Sequence, residues 1–185
     1  MKIYLASQSP RRRQLLGEMG VSFSVSSSDA SEEVPEGTLP QDAVRILAER
    51  KCAAACPLAE GDALVIGADT LVALGEAALG KPRDEEDAVK MLLSLSGKTH
   101  QVYTGVCLAR GERMLSAVEK TSVTFRAFDE REARAYVATG EPMDKAGAYG
   151  IQGLGGKLVS SIEGEFDNVV GFPTKTVRRL LGELS

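Results

Sequence analysis

The chain has 185 residues, 43% of them hydrophobic and 26% charged, with a net charge of −4. A chain of that size buries a core without disulfide or metal staples, as one domain or two small lobes, and its acidic balance argues against general nucleic-acid binding, which relies on a basic surface. No apolar run reaches transmembrane length and no signal-like apolar region follows Lys2, so a soluble, cytoplasmic protein is expected.

The opening residues Lys2–Leu16, KIYLASQSPRRRQLL, are apolar through Leu5, polar at Ser7-Gln8-Ser9, and apolar again at Leu15 and Leu16. They predict a strand, a tight turn and a helix, with Ser7 or Ser9 as cap and Pro10 as first helical residue. A helix N-terminus presents unpaired backbone N–H groups and partial positive charge. Arg11, Arg12 and Arg13 add full charge there, against the helix dipole. Three arginines so placed point to an anion site, because guanidinium forks match phosphate oxygens; a solvated basic first turn is the plainer alternative.

Gly20 stops that helix, and Val21–Ser27 alternates apolar residues with Ser as a half-exposed strand does. Asp29-Ala30-Ser31-Glu32-Glu33 is an acidic loop. Thr38–Cys56 follows the helical period through Ala43, Ile46, Leu47, Arg50 and Ala54 and is ended by Pro57, with Lys51 in its second half. Ala63–Leu74, which holds LVIGADTLVAL, reads as a strand pair around Asp69, the one carboxylate in an apolar stretch. A buried carboxylate must be paired, protonated or bound to a cation; a turn cap or an Arg partner is the ordinary explanation. Gly67 and Ala68 leave room for something to approach the backbone.

Glu76–Ala78 is predicted as a turn, and Lys81 is held between Gly80 and Pro82 in a non-helical segment, a placement that suits a phosphate. Asp84–Leu95 is an amphipathic helix. Gly97-Lys98-Thr99 looks like the tail of a P-loop, but Leu92 stands where the loop needs glycine and the strand–helix order is reversed. No G-x-G-x-x-G occurs. His100, the one histidine, is expected to pack at a strand start. Gln101–Ala109 and Arg113–Arg126 are strands joined at Arg110-Gly111-Glu112, and Glu130–Thr139 is a helix ended by Gly140. The segment Ala146–Gly156 contains Gly147, Gly150, Gly153, Gly155 and Gly156 around Gln152; it is either a flexible loop or one that lets backbone come close to a ligand. Leu158–Ile162 is a further strand, Asn168–Gly171 another approach to a site, and Pro173–Leu184 the closing helix. Cys52, Cys56 and Cys107 form neither a disulfide framework nor, with one histidine, a zinc set; they read as small buried hydrophobes. Crossover-length and hairpin connections together predict an α/β (mixed α+β) fold with a mixed sheet.

The runs SQSPRRRQLL, GADTLV, Gly80-Lys81-Pro82, Gly97-Lys98-Thr99-His100, AGAYGIQGLG and NVVGFP, in order from Leu5 to Pro173, together resemble the Maf family of nucleoside triphosphate pyrophosphatases. The resemblance implies a single Maf-like domain over 1–185, built as two lobes around a long mixed sheet with a central cleft, in the manner of Maf and Ham1 (ITPase-like) proteins. It implies hydrolysis of dTTP and UTP, modified pyrimidine nucleotides included, to the monophosphate and pyrophosphate. Asp69 would be the catalytic base or a metal-bound carboxylate, aided by Glu32, with adjacent Glu33 as the alternative. Hard oxygen ligands favour Mg²⁺ or Mn²⁺. Arg12, Lys51 and Lys81 would hold the phosphates, and Ser7 with the turn amides would add hydrogen bonds. Arg11, Thr70 and Gln152 would select the base, since a branch acting on 7-methylguanine nucleotides carries an aromatic residue, Gln and Glu at the matching places. The same chemistry on 7-methyl-GTP and a non-catalytic nucleotide-binding regulator of cell division are the alternatives. Asp69 weighs against the second, because a pure triphosphate binder gains nothing from extra negative charge unless a metal sits there. The expected partner is a nucleoside triphosphate, with no stable nucleic acid and no membrane, and with a homodimer as the assembly considered.

Overall fold

The structure, a computed structural model, describes residues 2–26 and 30–184. The chain divides into two compact units: Met1–Thr70, Thr104–Glu119 and Gly171–Ser185 form the first, and Leu71–Tyr103 and Lys120–Val170 the second. Among the described residues seven strands pair in the order β2-β1-β3-β5-β6-β7, with β4 on β3. They are β1 (Ile3–Ala6), β2 (Ser24–Val25), β3 (Leu64–Leu74), β4 (Ala77–Leu79), β5 (Thr99–Arg110), β6 (Arg113–Phe125) and β7 (Val159–Glu163). Parallel pairing of β1 with β2 and β3, and antiparallel pairing of β3 with β4 and β6 with β7, make the mixed α/β sheet that the connections predict.

In the first unit, β1 is followed by α1 (Pro10–Glu18), and β2 by α2 (Pro40–Ala55). Parallel neighbours need such crossovers. Ser9, not Ser7, caps α1, and Pro10 opens it. The strand expected at Val21–Ser27 shrinks to Ser24–Val25, which pairs with Tyr4 and Leu5 of β1; Ser27 and Asp29 lie outside the described residues. The strand pair expected at Ala63–Leu74 is a single strand of 11 residues. Gly67 does not turn the chain. It lets α2 sit on β3, since a Cβ there would lie 2.5 Å from the Ala48 carbonyl and 2.7 Å from the Cys52 amide. The cluster beneath is correspondingly fine-grained: Ala6, Ala48, Cys52, Ala55, Val65, Cys107 and Ala109. Cys52 and Cys107 are the small buried hydrophobes expected, whereas Cys56 is only half-buried. Contact with Cys107, then burial, pushes the Cys52 thiol far up, which suits an inert thiol. The closing helix α6 (Thr174–Leu184, numbered after the helices below) buries Val177, Leu180 and Leu184.

In the second unit, α3 (Glu85–Leu95) and α4 (Glu130–Val137) are capped by Asp84 and Asp129, whose side chains accept from the Asp87 and Glu132 amides at 2.7 and 2.9 Å. Their apolar faces, led by Leu92, Leu95 and Tyr136, join Phe125, Tyr149 and Leu158 in one core. His100 packs at the start of β5 as expected, with Nε2 2.8 Å from the Tyr149 hydroxyl and its ring edge-on to Phe125. Asn168, on the short α5 (Phe166–Val170), is buried, and its Nδ2 donates to the Val102 carbonyl and the Thr121 hydroxyl. The glycine-rich segment is not loose: 3-10 turns run over Ala146–Ala148 and Leu154–Leu158. A Cβ on Gly153 would fall 2.4 Å from Glu141 Oε2, and one on Gly155 2.5 Å from the Tyr136 hydroxyl. Neighbours in its own unit, rather than mobility, require those glycines. No helix among the described residues is long and apolar enough to cross a membrane.

Candidate functional site

Two clusters of the expected residues assemble in the first unit, at the C-terminal end of β1 and the adjoining stretch of β3. Ligands of parallel sheets bind at such strand ends. The first cluster is built around Arg12. Its Nε donates to the Gly171 carbonyl at 2.9 Å, Nη1 to the Ala68 carbonyl at 2.9 Å and the Ser7 hydroxyl at 3.2 Å, and Nη2 to the Thr70 hydroxyl at 3.0 Å. Thr70 is in turn 3.0 Å from the buried Thr104 hydroxyl. Among the described residues, four of the five guanidinium N–H groups are thus committed to neutral oxygens, which leaves one for an anion. Burial pushes the Arg12 pKa down, Asp69 favours its charge, Arg11 opposes it and Glu32 favours it. Of the other two arginines, Arg13 donates to the Gln8 carbonyl at 3.1 Å, closing the turn, and Arg11 is half-buried on α1, near enough to oppose the Arg12 charge. The expected triple-arginine anion site therefore resolves into one inward guanidinium that knits Ser7, β3 and Gly171 together, beside a first turn of α1 whose Arg12 and Arg13 amides go to the Ser9 hydroxyl and carbonyl.

The second cluster is Lys51, Asp69 and Glu32. The approach of α2 at Gly67 brings Lys51 Nζ to 2.6 Å from Asp69 Oδ1 and 3.0 Å from Glu32 Oε1. Asp69 is thus paired, with a lysine rather than the arginine that a plain structural reading allows. The Asp69 and Lys51 side chains are 14% and 19% exposed, against 75% for Glu32. The Glu33 backbone carbonyl accepts from Arg50, and of the two adjacent glutamates Glu32 is the one shown in contact with Lys51.

Two carboxylates converging on one point are a hard-oxygen donor set. Among the described residues no group of three or more His, Cys, Asp or Glu gathers as a metal site. The pair suits a divalent cation of the Mg²⁺ type, which binds through one or two carboxylates and completes its shell with water and substrate phosphates.

Lys81 and Gln152 belong to the second unit. Lys81 is exposed just after β4, and Gly80, its neighbour, accepts from the Gly147 amide at 3.1 Å. Gln152 is exposed between Gly150 and Leu154. Sequence reasoning missed two residues there. Glu141 accepts from the Tyr136 hydroxyl at 2.7 Å, the Leu154 amide at 3.0 Å and the Gly155 amide at 3.1 Å. The one available signal was a carboxylate following Gly140 at the end of a helix, which reads as an ordinary surface residue.

The comparisons with known proteins cover the same span as these clusters. The dTTP/UTP pyrophosphatase of Pelotomaculum thermopropionicum is 48% identical over 97% of this chain and 95% of its own. That of Desulfitobacterium hafniense is 49% identical over 97% of this chain and 83% of its own. Among solved structures, the Staphylococcus aureus Ham1 protein aligns over 68% of this chain and 72% of its own, with 15% identity and a TM-score of 0.45. The sequence profile described as Maf-like protein matches residues 2–184, and with relatives this similar along the whole length, the chain belongs to the Maf family.

Proposed function

We propose that this chain is a nucleoside triphosphate pyrophosphatase that converts dTTP and UTP to the monophosphate and pyrophosphate. The observation that carries the reading is the Lys51–Asp69–Glu32 cluster, set beside the Arg12-held turn that opens α1. The relatives named above for this activity support the substrate class.

In this reading water adds to the α-phosphorus, the α–β anhydride bond breaks, and pyrophosphate leaves. Asp69 takes the water proton, or with Glu32 holds a divalent cation such as Mg²⁺ or Mn²⁺. When bound, that cation supplies charge neutralisation on the phosphates and lowers the pKa of water. Lys51 sits where it balances Asp69 and Glu32 and meets phosphate charge as it develops. Arg12 contributes the N–H that makes no hydrogen bond among the described residues, and the Ser7 hydroxyl contributes a neutral donor. Lys81 and Arg11 add positive charge, Lys81 toward the phosphates. Arg11, Thr70 and Gln152 are assigned to base selection. Uracil and thymine present acceptor, donor and acceptor on their pairing edge, and a Gln amide accepts from N3–H while donating to a carbonyl.

The test is product analysis with UTP, dTTP, CTP, GTP and 7-methyl-GTP under matched Mg²⁺. UTP and dTTP should be the best substrates and should yield the monophosphate with pyrophosphate. Release of a diphosphate with orthophosphate, or a preference for a guanine nucleotide, overturns the reading.

A further inference from the structure

Both flanks of Gln152 are tied to one pair of side chains. On one side the Gly150 amide donates to the Tyr136 hydroxyl at 3.1 Å; on the other the Leu154 and Gly155 amides donate to the two oxygens of the Glu141 carboxylate at 3.0 and 3.1 Å. The pair is closed on itself, because the Tyr136 hydroxyl donates to Glu141 Oε1 at 2.7 Å. Glu141 is itself held: its carbonyl accepts from Lys145 Nζ at 2.8 Å. Inside this bracket the Gly153 amide donates to the Gly150 carbonyl at 3.2 Å, which folds the segment into a tight turn with Gln152 exposed on it. The glycines are part of the same construction, since side chains at Gly153 or Gly155 would strike Glu141 or Tyr136.

A helix-terminal carboxylate with three donors aimed at it exceeds what a surface turn needs. One of those donors, the amide of exposed Leu154, is a group that water would otherwise satisfy, whereas Gly155 is buried and its amide needs a partner inside the fold. An amide that reads a base edge has a different requirement, because its donor and acceptor must be held within a few tenths of an ångström. A Gln side chain has three rotatable bonds, so any looseness in the backbone beneath it is amplified at its tip.

We propose that Glu141, together with Tyr136, is a positioning residue for nucleotide selectivity: it fixes the backbone from which Gln152 reads the base. This rests on the assignment of Gln152 to base selection made above. Glu141 touches neither the reacting atoms nor the phosphates in that scheme; its effect runs through the turn.

The experiment measures kcat and KM for UTP, dTTP, CTP and GTP in the wild type, Glu141→Gln, Tyr136→Phe and Gln152→Ala, with amide hydrogen exchange at Leu154 and Gly155 in the same full-length proteins. Glu141→Gln keeps the size but turns an amide NH₂ toward one of the backbone donors. Exchange at Leu154 and Gly155 should accelerate, and the UTP-to-CTP ratio of kcat/KM should fall by about 10-fold and at most about 100-fold, as misplacement of a recognition group by up to an ångström does. The loss should appear in KM, with kcat for UTP within roughly threefold of wild type. Tyr136→Phe, which deletes only a hydroxyl, should move both readouts the same way by less. Faster exchange with an unchanged ratio overturns the proposal, as does unchanged exchange, or an equal loss of kcat on every nucleotide. If Gln152→Ala loses selectivity and Glu141→Gln does not, the positioning role alone falls. If neither variant alters selectivity, the base-reading assignment falls with it.

Discussion

Replacing Lys51 by Met removes the ammonium held 2.6 Å from Asp69 and 3.0 Å from Glu32 while keeping an unbranched side chain. At an effective dielectric of about 20, unit charges at the shorter distance attract by roughly 6 kcal/mol, and desolvation of the two ions offsets much of that. What matters is the group left behind. Lys51→Met leaves Asp69, only 14% exposed, with Arg12 as a nearby positive charge. That guanidinium is already committed to four oxygens. A cost of about 3 kcal/mol is expected, the usual range for breaking a buried pair from one side. Asp69→Asn leaves Lys51 with Glu32, a mostly exposed partner, and should cost only about 1 kcal/mol. Activity should rank the other way for any role of Asp69 as base, with Asp69→Asn slower by about 10²–10⁴-fold. Urea unfolding of the two variants with and without Mg²⁺ checks the stability ranking. The cation should stabilise Lys51→Met more than the wild type, because no ammonium competes for the two carboxylates; the gain approaches about 2.7 kcal/mol at a hundredfold excess over Kd. An Asp69→Asn protein less stable than Lys51→Met refutes the pairing argument, and a Lys51→Met protein indifferent to Mg²⁺ refutes the shared cation site.

Gly67→Ala should push α2 off β3, because the added methyl meets the Ala48 carbonyl and the Cys52 amide; a loss of about 1–3 kcal/mol, with a fall in kcat as Lys51 leaves Asp69, is the expected result, and a fully active, equally stable variant contradicts it. Burial brings the His100 pKa down to about 4, so between about pH 6.5 and pH 4 the unfolded chain binds a proton that the folded one does not, and stability should fall by about 3 kcal/mol as pH drops through that window, with none of the loss above it. Urea midpoints from pH 7 to pH 4 should show this slope in the wild type and lose it in His100→Phe.

Features set by neighbours in the sequence were legible without the fold. The Ser9–Pro10 helix start, the periods of α2 and α3 and the hairpin at Gly111 each depend on contacts a few residues long, and each is where local chemistry puts it. Asp69 was legible as a group in use, since a carboxylate in an apolar strand demands a partner. Its partner was not, because Lys51 lies 18 residues away and reaches it only where Gly67 admits a helix. Glu32 and Glu33 are equivalent as sequence; the path of the loop over α2 separates them. Arg12 was read as a free cation because its acceptors are carbonyls and hydroxyls, among them Gly171, 159 residues further on, and backbone oxygens leave no trace in composition. Glycines that accommodate Glu141 and Tyr136 spell the same as glycines of a loose loop. Local propensity and capping are pairwise and short-range, so the chain states them directly. The ownership of a charge or a carbonyl is decided by close approach across the fold, and that appears only when the elements pack.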